Sequence, residues 1–445
     1  MADKKRILII SYYFAPQNTM GAVRPTKLAK YLTRMGHEVT VICGGGLDGQ
    51  NDPTLERDLQ ELKDVRLCKE WSPLRDWYIY KAAKKQAAPA AAPSAPAAAE
   101  ETAQPSALKK LVKNAVNAVY VYLDWFADRN FCRLAKRELK KLNGTYDVVF
   151  STYASYAVHE VSQLAKKKGL AKKWFADFRD EVGMPFACQE KRKQRYLQMI
   201  RRDADIVSAV SQGFLEMMNF DDIGRVLSNG FDREDIPQVD AAPCGNELRV
   251  VYCGQMQDSR REVGDRDITP MFRVLRRLVD EKRIAKEQIK LVYAGREGAL
   301  FTRYAAKSGL ESCVEDHGQV SRKQSIALQK GADVLLMASH HMASQKGILT
   351  GKLFEYMMMD KPIVCCMGGD LPNSGVKQVL EETGMGLCCE HANARQDEEK
   401  LYAYVGSLVE KWQTNGDLLE GKKEENVESY AYPGLARTLE SWINE

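Results

Sequence analysis

The chain of 445 residues is 44% apolar and 28% charged, the balance of a soluble globular protein long enough for two or three ordinary domains, with two expected. A net charge of +5 is small for this length, and no nucleic-acid fold signature accompanies the local basic runs, so nucleic acid is not expected as a partner. No apolar stretch approaches the roughly 20 residues that span a bilayer, so any membrane contact is expected to be peripheral.

Arg6 to Ile10 is a continuous apolar run like a buried parallel strand, followed by a loop holding Pro16 and Gly21. Leu28, Leu32 and Met35 then recur at helical spacing, Gly36-His37 ends that helix, and Val39 to Cys43 is the next strand. So short a crossover requires the two strands to be parallel.

Between Ala82 and Ser106 the chain is almost entirely Ala and Pro with a few Lys, Glu and Gln, too poor in large apolar groups to fold alone, and reads as a disordered or loosely ordered insertion. A basic amphipathic helix is predicted after it over 108–125, with Leu108, Leu111, Val112, Ala115, Val119 and Leu123 on one face and Lys109, Lys110 and Lys113 largely elsewhere. It reads as a core helix, or as a docking element for a membrane surface or a lipid-carried acceptor, and Trp71, Trp77, Tyr78 and Tyr80 lean towards the second reading. The clusters at Lys166–Lys168, Lys172-Lys173, Lys191–Lys193, Arg195 and Arg201-Arg202 read as solvated helix faces.

Strand-like runs return at Asp147–Phe150, Trp174–Phe178, Ile206–Val210 and Arg225–Ser228. After an acidic, Pro-containing stretch around Pro237 to Glu247 the alternation restarts at Leu248–Gly254 and continues at Lys290–Gly295, Asp333–Met337 and Pro362–Cys365. Two doubly wound α/β domains joined near residue 240 follow.

Eleven cysteines include the adjacent pairs Cys365-Cys366 and Cys388-Cys389 and no C-x-x-C spacing, so neither zinc nor a redox pair is indicated. An odd number used as small hydrophobes, with a start that leads directly into a strand, points to a cytoplasmic protein.

The most telling stretch is Thr350-Gly351-Lys352-Leu353-Phe354-Glu355-Tyr356-Met357, closed by Asp360-Lys361-Pro362-Ile363-Val364-Cys365. It sets a small-residue turn, a lysine and a glutamate at a helix start, where unpaired N–H groups and partial positive charge favour a diphosphate. Glu355 lies one turn beyond Lys352 on nearly the same face, suited to accepting hydrogen bonds from vicinal ribose hydroxyls.

This segment resembles the donor-binding motif of glycosyltransferase family 4, the retaining, metal-independent transferases of the GT-B fold, in its subgroup with a G-x-x-x-x-K-x-F-E-Y pattern. The resemblance runs from Arg6 to a final helix around Leu435 to Ile443. It implies an N-terminal Rossmann-like acceptor-side domain over 1–238, with 82–106 inserted, a C-terminal nucleotide-sugar domain over 247–425, and a segment over 426–445 crossing back to the first. The two domains are expected to face a central cleft.

The first loop, from Ser11 to Ala22, resembles the family loop whose glycine approaches the donor diphosphate, here Gly21. Asn18, Arg24 and Tyr153 are the acceptor-side candidates. Asp177-Phe178-Arg179-Asp180 resembles a D-x-R-D run of one subgroup, implying Asp177, Arg179 and Asp180 as cleft contacts; a structural Asp–Arg pair is the other reading. The family's first-domain histidine has no counterpart after Phe150, His159 lying further on within a helix.

In the second domain Gly254 begins the phosphate loop. Gln255 stands where the family has arginine, so Arg266 becomes the phosphate candidate, with Arg260 and Arg261 in reserve. His317 and Gly318, in His317-Gly318-Gln319-Val320, match the loop against the nucleotide base. Thr350, Gly351, Lys352, Leu353 and Glu355 complete the donor set, and Arg266 and Lys352 join Asp177, Arg179 and Asp180 as candidates for the chemistry. Gly347 stands where many members carry the first of two glutamates. No acidic D-x-D cluster is placed at a strand end, as metal-independent transfer implies.

The implied activity is transfer of a sugar from a nucleotide diphosphate donor, UDP-linked before GDP-linked, to a glycan or lipid-linked saccharide in surface polysaccharide synthesis, with no cofactor. The rivals are a catalytically silent GT-B subunit, motivated by Gln255 and Gly347, and a nucleotide-sugar epimerase, for which no acid–base pair is evident.

Overall fold

A computed structural model describes residues 4–45, 51–69, 107–182, 190–242, 245–256, 266–343 and 345–445, apart from the side chains of 107–118, 120, 121 and 124. The segment 82–106, the aromatics Trp71, Trp77, Tyr78 and Tyr80, and Arg260 and Arg261 lie outside the described residues, as do the side chains of Lys109, Lys110 and Lys113. The chain divides into two units, 1–207 and 208–445.

The first stretch runs β1 (Arg6–Ser11), α1 (Met20–Arg34), β2 (Glu38–Gly44), α2 (Pro53–Leu59), β3 (Asp64–Cys68), α3 (Ala107–Leu139), β4 (Tyr146–Thr152), α4 (Tyr156–Lys167), β5 (Ala171–Phe178), α5 (Glu190–Asp203) and β6 (Ile206–Ala209). Then come α6 (Gln212–Met217) and β7 (Gly224–Val226), and the sheet order is β3-β2-β1-β4-β5-β6-β7. β1 pairs in parallel with β2 and β4, and from Ile7 to Ser11 it is buried throughout, as its unbroken apolar run requires of a central strand. The basic helix of the sequence reading is the beginning of α3, one helix of 33 residues.

α1 starts at Thr19, whose hydroxyl accepts from the Gly21 N–H at 3.3 Å. Pro25 lies inside this helix and has no N–H to give the Gly21 carbonyl.

The second sheet is built from β8 (Leu248–Cys253), α7 (Thr269–Asp280), β9 (Ile289–Ala294), α8 (Gly298–Ala306), β10 (Val314–Asp316), α9 (Arg322–Lys330), β11 (Val334–His340), α10 (Gly351–Met357), β12 (Ile363–Gly368), α11 (Gly375–Thr383) and β13 (Gly386–Glu390). Helices α12 (Ala394–Gln413), α13 (Glu424–Ser429) and α14 (Tyr432–Asn444) close the chain. The order is β10-β9-β8-β11-β12-β13, parallel in every pair, with one apolar core under α7, α8 and α12 and a second under α9, α10 and α11. This is the doubly wound arrangement that strand–helix alternation predicts.

The adjacent cysteines show the two-faced register. Cys365 stands beside Cys388 and Cys366 beside Cys389 on neighbouring strands, the first pair in one core and the second in the other. Nine described cysteines are buried: Cys43, Cys68 and Cys132 in the first unit, and Cys253, Cys313, Cys365, Cys366, Cys388 and Cys389 in the second.

Asp360 reverses the chain between α10 and β12 with φ of 51°, a conformation that Asp tolerates better than most residues, and its carboxylate takes Arg233 at 3.0 Å and Lys422 at 2.7 Å. The C-terminal helix packs beside β7: Arg225 donates to Glu445 at 2.8 Å and lies 5.5 Å from the centre of the Trp442 ring.

Candidate functional site

In a parallel sheet, ligand groups gather beyond the carboxyl ends of the strands, and in the second unit the loops after β8, β9 and β10 lie side by side there. β8 delivers Tyr252, 1% exposed, and Gly254, whose φ of 119° favours glycine. A Cβ on Gly254 would lie 3.1 Å from Lys352 Nζ, so the missing side chain is what lets the α10 lysine reach this loop.

Lys352 Nζ sits 4.0 Å from the centre of the Tyr252 ring, within cation–π range. The lysine is half-buried and, among the described residues, has no ion pair or hydrogen bond. Burial, assisted by the Arg266 guanidinium, lowers its pKa from 10.5 to about 8. Arg266 is held at a φ of 40°, costly for a non-glycine residue, and its buried Nε has no hydrogen-bond partner among the described residues. Two cationic side chains thus converge on one strand end with no carboxylate bound to either among the described residues, the electrostatic signature of an anion site.

Thr350 caps α10 with an extended backbone, and its buried hydroxyl is also without a partner among the described residues. Gly351 is exposed, while Leu353 is fully buried and anchors the helix in the core. Tyr356 does the same by a polar route, its hydroxyl accepting from the Cys253 N–H at 3.0 Å and so tying α10 to the end of β8.

Glu355 is partly exposed and faces α9. Its Oε1 accepts from Gln329 Nε2 at 2.8 Å, and Arg322 approaches Oε2 at 3.4 Å. Gln329 Nε2 is also 3.0 Å from Ser325 Oγ, so Arg322, Ser325 and Gln329 form one stripe of α9 turned towards this carboxylate.

His317 is paired through Nε2 with Glu315 at 2.7 Å and both are about one-third exposed. Gly318 has φ of 61°, with its N–H on Asp316 at 2.9 Å and its carbonyl on the Gly295 N–H at 2.8 Å. The Tyr293 hydroxyl lies 3.1 Å from both the Gly254 carbonyl and Glu297 Oε2, which cross-links the first two strand-end loops.

Gly347 has φ of 73°. A Cβ there would lie 2.3 Å from Ser211 Oγ and 2.9 Å from the Gly213 Cα, and Ser211 Oγ donates to the Gly347 carbonyl at 2.7 Å. Position 347 therefore has no space for a side chain without movement of Ser211 and Gly213.

In the first unit, Arg24 of α1 and Asp177 of β5 form a bidentate pair, Nε to Oδ2 at 3.0 Å and NH2 to Oδ1 at 2.9 Å, with 2% and 0% of their side chains exposed. Asp177 thus takes its arginine from α1, outside the D-x-R-D run. Arg179 instead pairs with Asp180 at 2.8 Å and donates to the Tyr153 carbonyl at 3.3 Å.

Gly21 belongs to the same group, since a Cβ on it would lie 2.7 Å from the Tyr13 ring and 2.9 Å from Arg179 NH1. Asn18 is exposed at the loop tip, and Tyr153 is buried among Tyr156, His159, Phe178 and Tyr196. His159 is fully buried inside α4, its Nδ1 2.8 Å from Ser151 Oγ, and burial drives its pKa down to about 3, so it is a neutral structural histidine.

Sequence reasoning named Gly254, Arg266, Lys352 and Glu355, and the structure brings the first three together around Tyr252 with Glu355 a turn away. It missed Tyr252, read only as strand, and the α9 stripe, whose signal was the spacing of Arg322, Ser325 and Gln329 before β11.

No family model and no curated protein matches the chain. Solved structures do, over nearly the full length. A glycosyltransferase from Rickettsia africae ESF-5 shares 17% identity, with 99% of this chain and 98% of that one covered and a TM-score of 0.56. The N-terminal domain of Candida albicans trehalose-6-phosphate phosphatase shares 15%, with 99% and 97% covered and a TM-score of 0.58. The lipopolysaccharide outer core galactosyltransferase WaaB shares 12%, with 99% of each chain covered and a TM-score of 0.55.

At these identities the likeness is one of fold. The chain has the α/β architecture of GT-B glycosyltransferases, two parallel sheets of seven and six strands with interleaved helices. Function is argued from the site rather than from that fold.

Proposed function

We propose that the protein is a retaining, metal-independent glycosyltransferase of the family 4 type that takes a sugar from a nucleoside diphosphate donor, UDP-linked before GDP-linked. The acceptor is a hydroxyl of a glycan or lipid-linked saccharide in surface polysaccharide synthesis at the cytoplasmic face of a membrane. The observation that carries this reading is the ammonium of Lys352, unpaired among the described residues, over Tyr252 at Gly254, beside Arg266 and one turn before Glu355. The likeness of fold to a protein named as a galactosyltransferase is in keeping with it.

In this reading Lys352 and Arg266 hold the diphosphate and take up the charge that develops on its leaving oxygen, while Glu355 holds the ribose. The bond from the sugar C1 to the diphosphate oxygen breaks as the acceptor oxygen bonds to the same face of C1, and the acceptor proton passes to the departing phosphate. Arg179 and Asp180 are assigned to the acceptor side, and His317 and Gly318 to the base. Because Gly347 is closed to side chains, the sugar contact usual for a glutamate falls to backbone groups around Gly347 to Gly351.

Calorimetric titration of UDP, GDP, ADP and CMP into wild type and Glu355→Ala tests this. One diphosphate should bind, and the substitution should weaken it roughly 10- to 100-fold. Binding of a nucleotide without turnover of any nucleotide sugar would favour a silent GT-B subunit, the reading that Gly347 and Gln255 also suit.

A further inference from the structure

Glu355 is held from one side by a residue to which no role has been given. Gln329 is fully buried, and its amide nitrogen donates to Glu355 Oε1 at 2.8 Å while lying 3.0 Å from Ser325 Oγ. The amide orientation is not arbitrary: turned over, its oxygen would face a carboxylate oxygen at the same distance, two acceptors with no proton between them. A charge-assisted hydrogen bond from a buried, immobile donor fixes one oxygen of a partly exposed side chain. Arg322, by contrast, is 57% exposed and 3.4 Å away, too loose to fix the carboxylate on its own.

A glutamate on a helix surface has three rotatable bonds and spends its time among several rotamers. To accept two hydrogen bonds from a vicinal diol, both carboxylate oxygens must be presented in one plane at one place. The Gln329 bond removes the alternatives before ligand arrives and leaves lone pairs on both oxygens. We propose that Gln329 is a positioning residue that acts through Glu355 and sets the preference of the site for ribose over 2′-deoxyribose nucleoside diphosphates. The inference rests on the proposed nucleotide site and deepens it, assigning sugar discrimination to a pair of residues and diphosphate affinity to Lys352 and Arg266.

The experiment titrates the best-binding of UDP, GDP and ADP, and its 2′-deoxy counterpart, into wild type, Gln329→Leu and Gln329→Glu. Wild type should prefer the ribonucleotide by tenfold or more. Gln329→Leu should keep its affinity for the deoxynucleotide, which also reports that it is folded, while the preference falls to within about threefold. In Gln329→Glu the introduced carboxyl can donate to Glu355 only when protonated, so the preference should be lost at pH 8 and largely recovered at pH 5.

Among the described residues, the charged and titratable neighbours of the pair are Arg322 on α9, Lys352 and Tyr356 on α10, the tyrosine raised well above its usual range by burial, and the Cys253 thiol at the end of β8, which burial raises to about 11. Titration of Lys352 near 8 affects both nucleotides alike and cancels in the ratio. A wild-type ratio in Gln329→Leu, or in Gln329→Glu at both pH values, overturns the inference while the nucleotide site stands, as does a wild type that binds both nucleotides equally. Wild type that binds no diphosphate overturns the proposed function and this inference with it.

Discussion

The ammonium of Lys352 lies 4.0 Å above the ring of Tyr252, and the same nitrogen would be 3.1 Å from a side chain on Gly254 if that residue had one. A strand end, a glycine and a helix lysine thus meet at one point, and the ring face compensates part of the charge that burial makes costly. With no carboxylate on this cation among the described residues, an incoming diphosphate meets an unneutralised charge.

Diphosphate affinity should therefore depend on a proton. Lys352 titrates at about 8 in the ligand-free protein, so affinity should be flat well below that value and fall as pH rises through it. Near pH 8.5 binding should take up a fraction of a proton, detectable by calorimetry in buffers of different ionisation enthalpy. Lys352→Met should abolish the uptake and weaken binding roughly 10- to 100-fold.

The same lysine has the opposite effect on stability. Its folded value of about 8 is below the ordinary 10.5, so between those limits the unfolded chain binds more protons, and this residue's contribution to stability rises with pH across the window. Denaturant titrations at pH 7.5 and 10 should show that Lys352→Met gains stability relative to wild type at the lower pH and loses that advantage at the higher.

Arg266 carries its charge on a backbone at φ of 40°. Arg266→Gly relieves that strain, about 1 to 2 kcal/mol, while loosening the unfolded chain by about 0.5 to 1 kcal/mol. Stability should change by less than about 1 kcal/mol, and diphosphate affinity should fall about tenfold or more. Thermal unfolding and nucleotide titration of one preparation check both.

Restoring a side chain at Gly347 should damage the fold rather than improve the site. Gly347→Ala meets Ser211 Oγ at 2.3 Å in a left-handed backbone, and overpacking with strain should cost about 2 to 5 kcal/mol, measured by urea unfolding. Gly347→Glu should be worse and should not increase transfer activity.

In the first unit the Arg24–Asp177 pair joins α1 to β5. Arg24→Met leaves a fully buried carboxylate without its guanidinium and should destabilise by about 3 to 5 kcal/mol, whereas the double substitution Arg24→Met, Asp177→Leu should recover much of that loss. Equilibrium unfolding of the singles and the double decides it.

The strand alternation was legible because each core strand is a nearly unbroken apolar run, and β1, β8 and β12 appear where those runs stand. Lys352 and Glu355 were legible because both sit on one short helix, where spacing alone fixes their relation. The Arg24–Asp177 pair was not, since its members are 153 positions apart and only the packing of α1 on the sheet joins them. Nor could spacing show why position 347 is glycine, because the atoms that exclude a side chain come from Ser211 and Gly213.

The buried cysteines give the chain built-in reporters. Each is hidden until the structure around it opens, and Cys43 and Cys132 report on the first unit while Cys253, Cys313, Cys365, Cys366, Cys388 and Cys389 report on the second. Site-resolved alkylation under native conditions, read by peptide mass, would measure the opening free energy of each unit without any introduced probe, and adding nucleotide would reveal which unit the ligand stabilises.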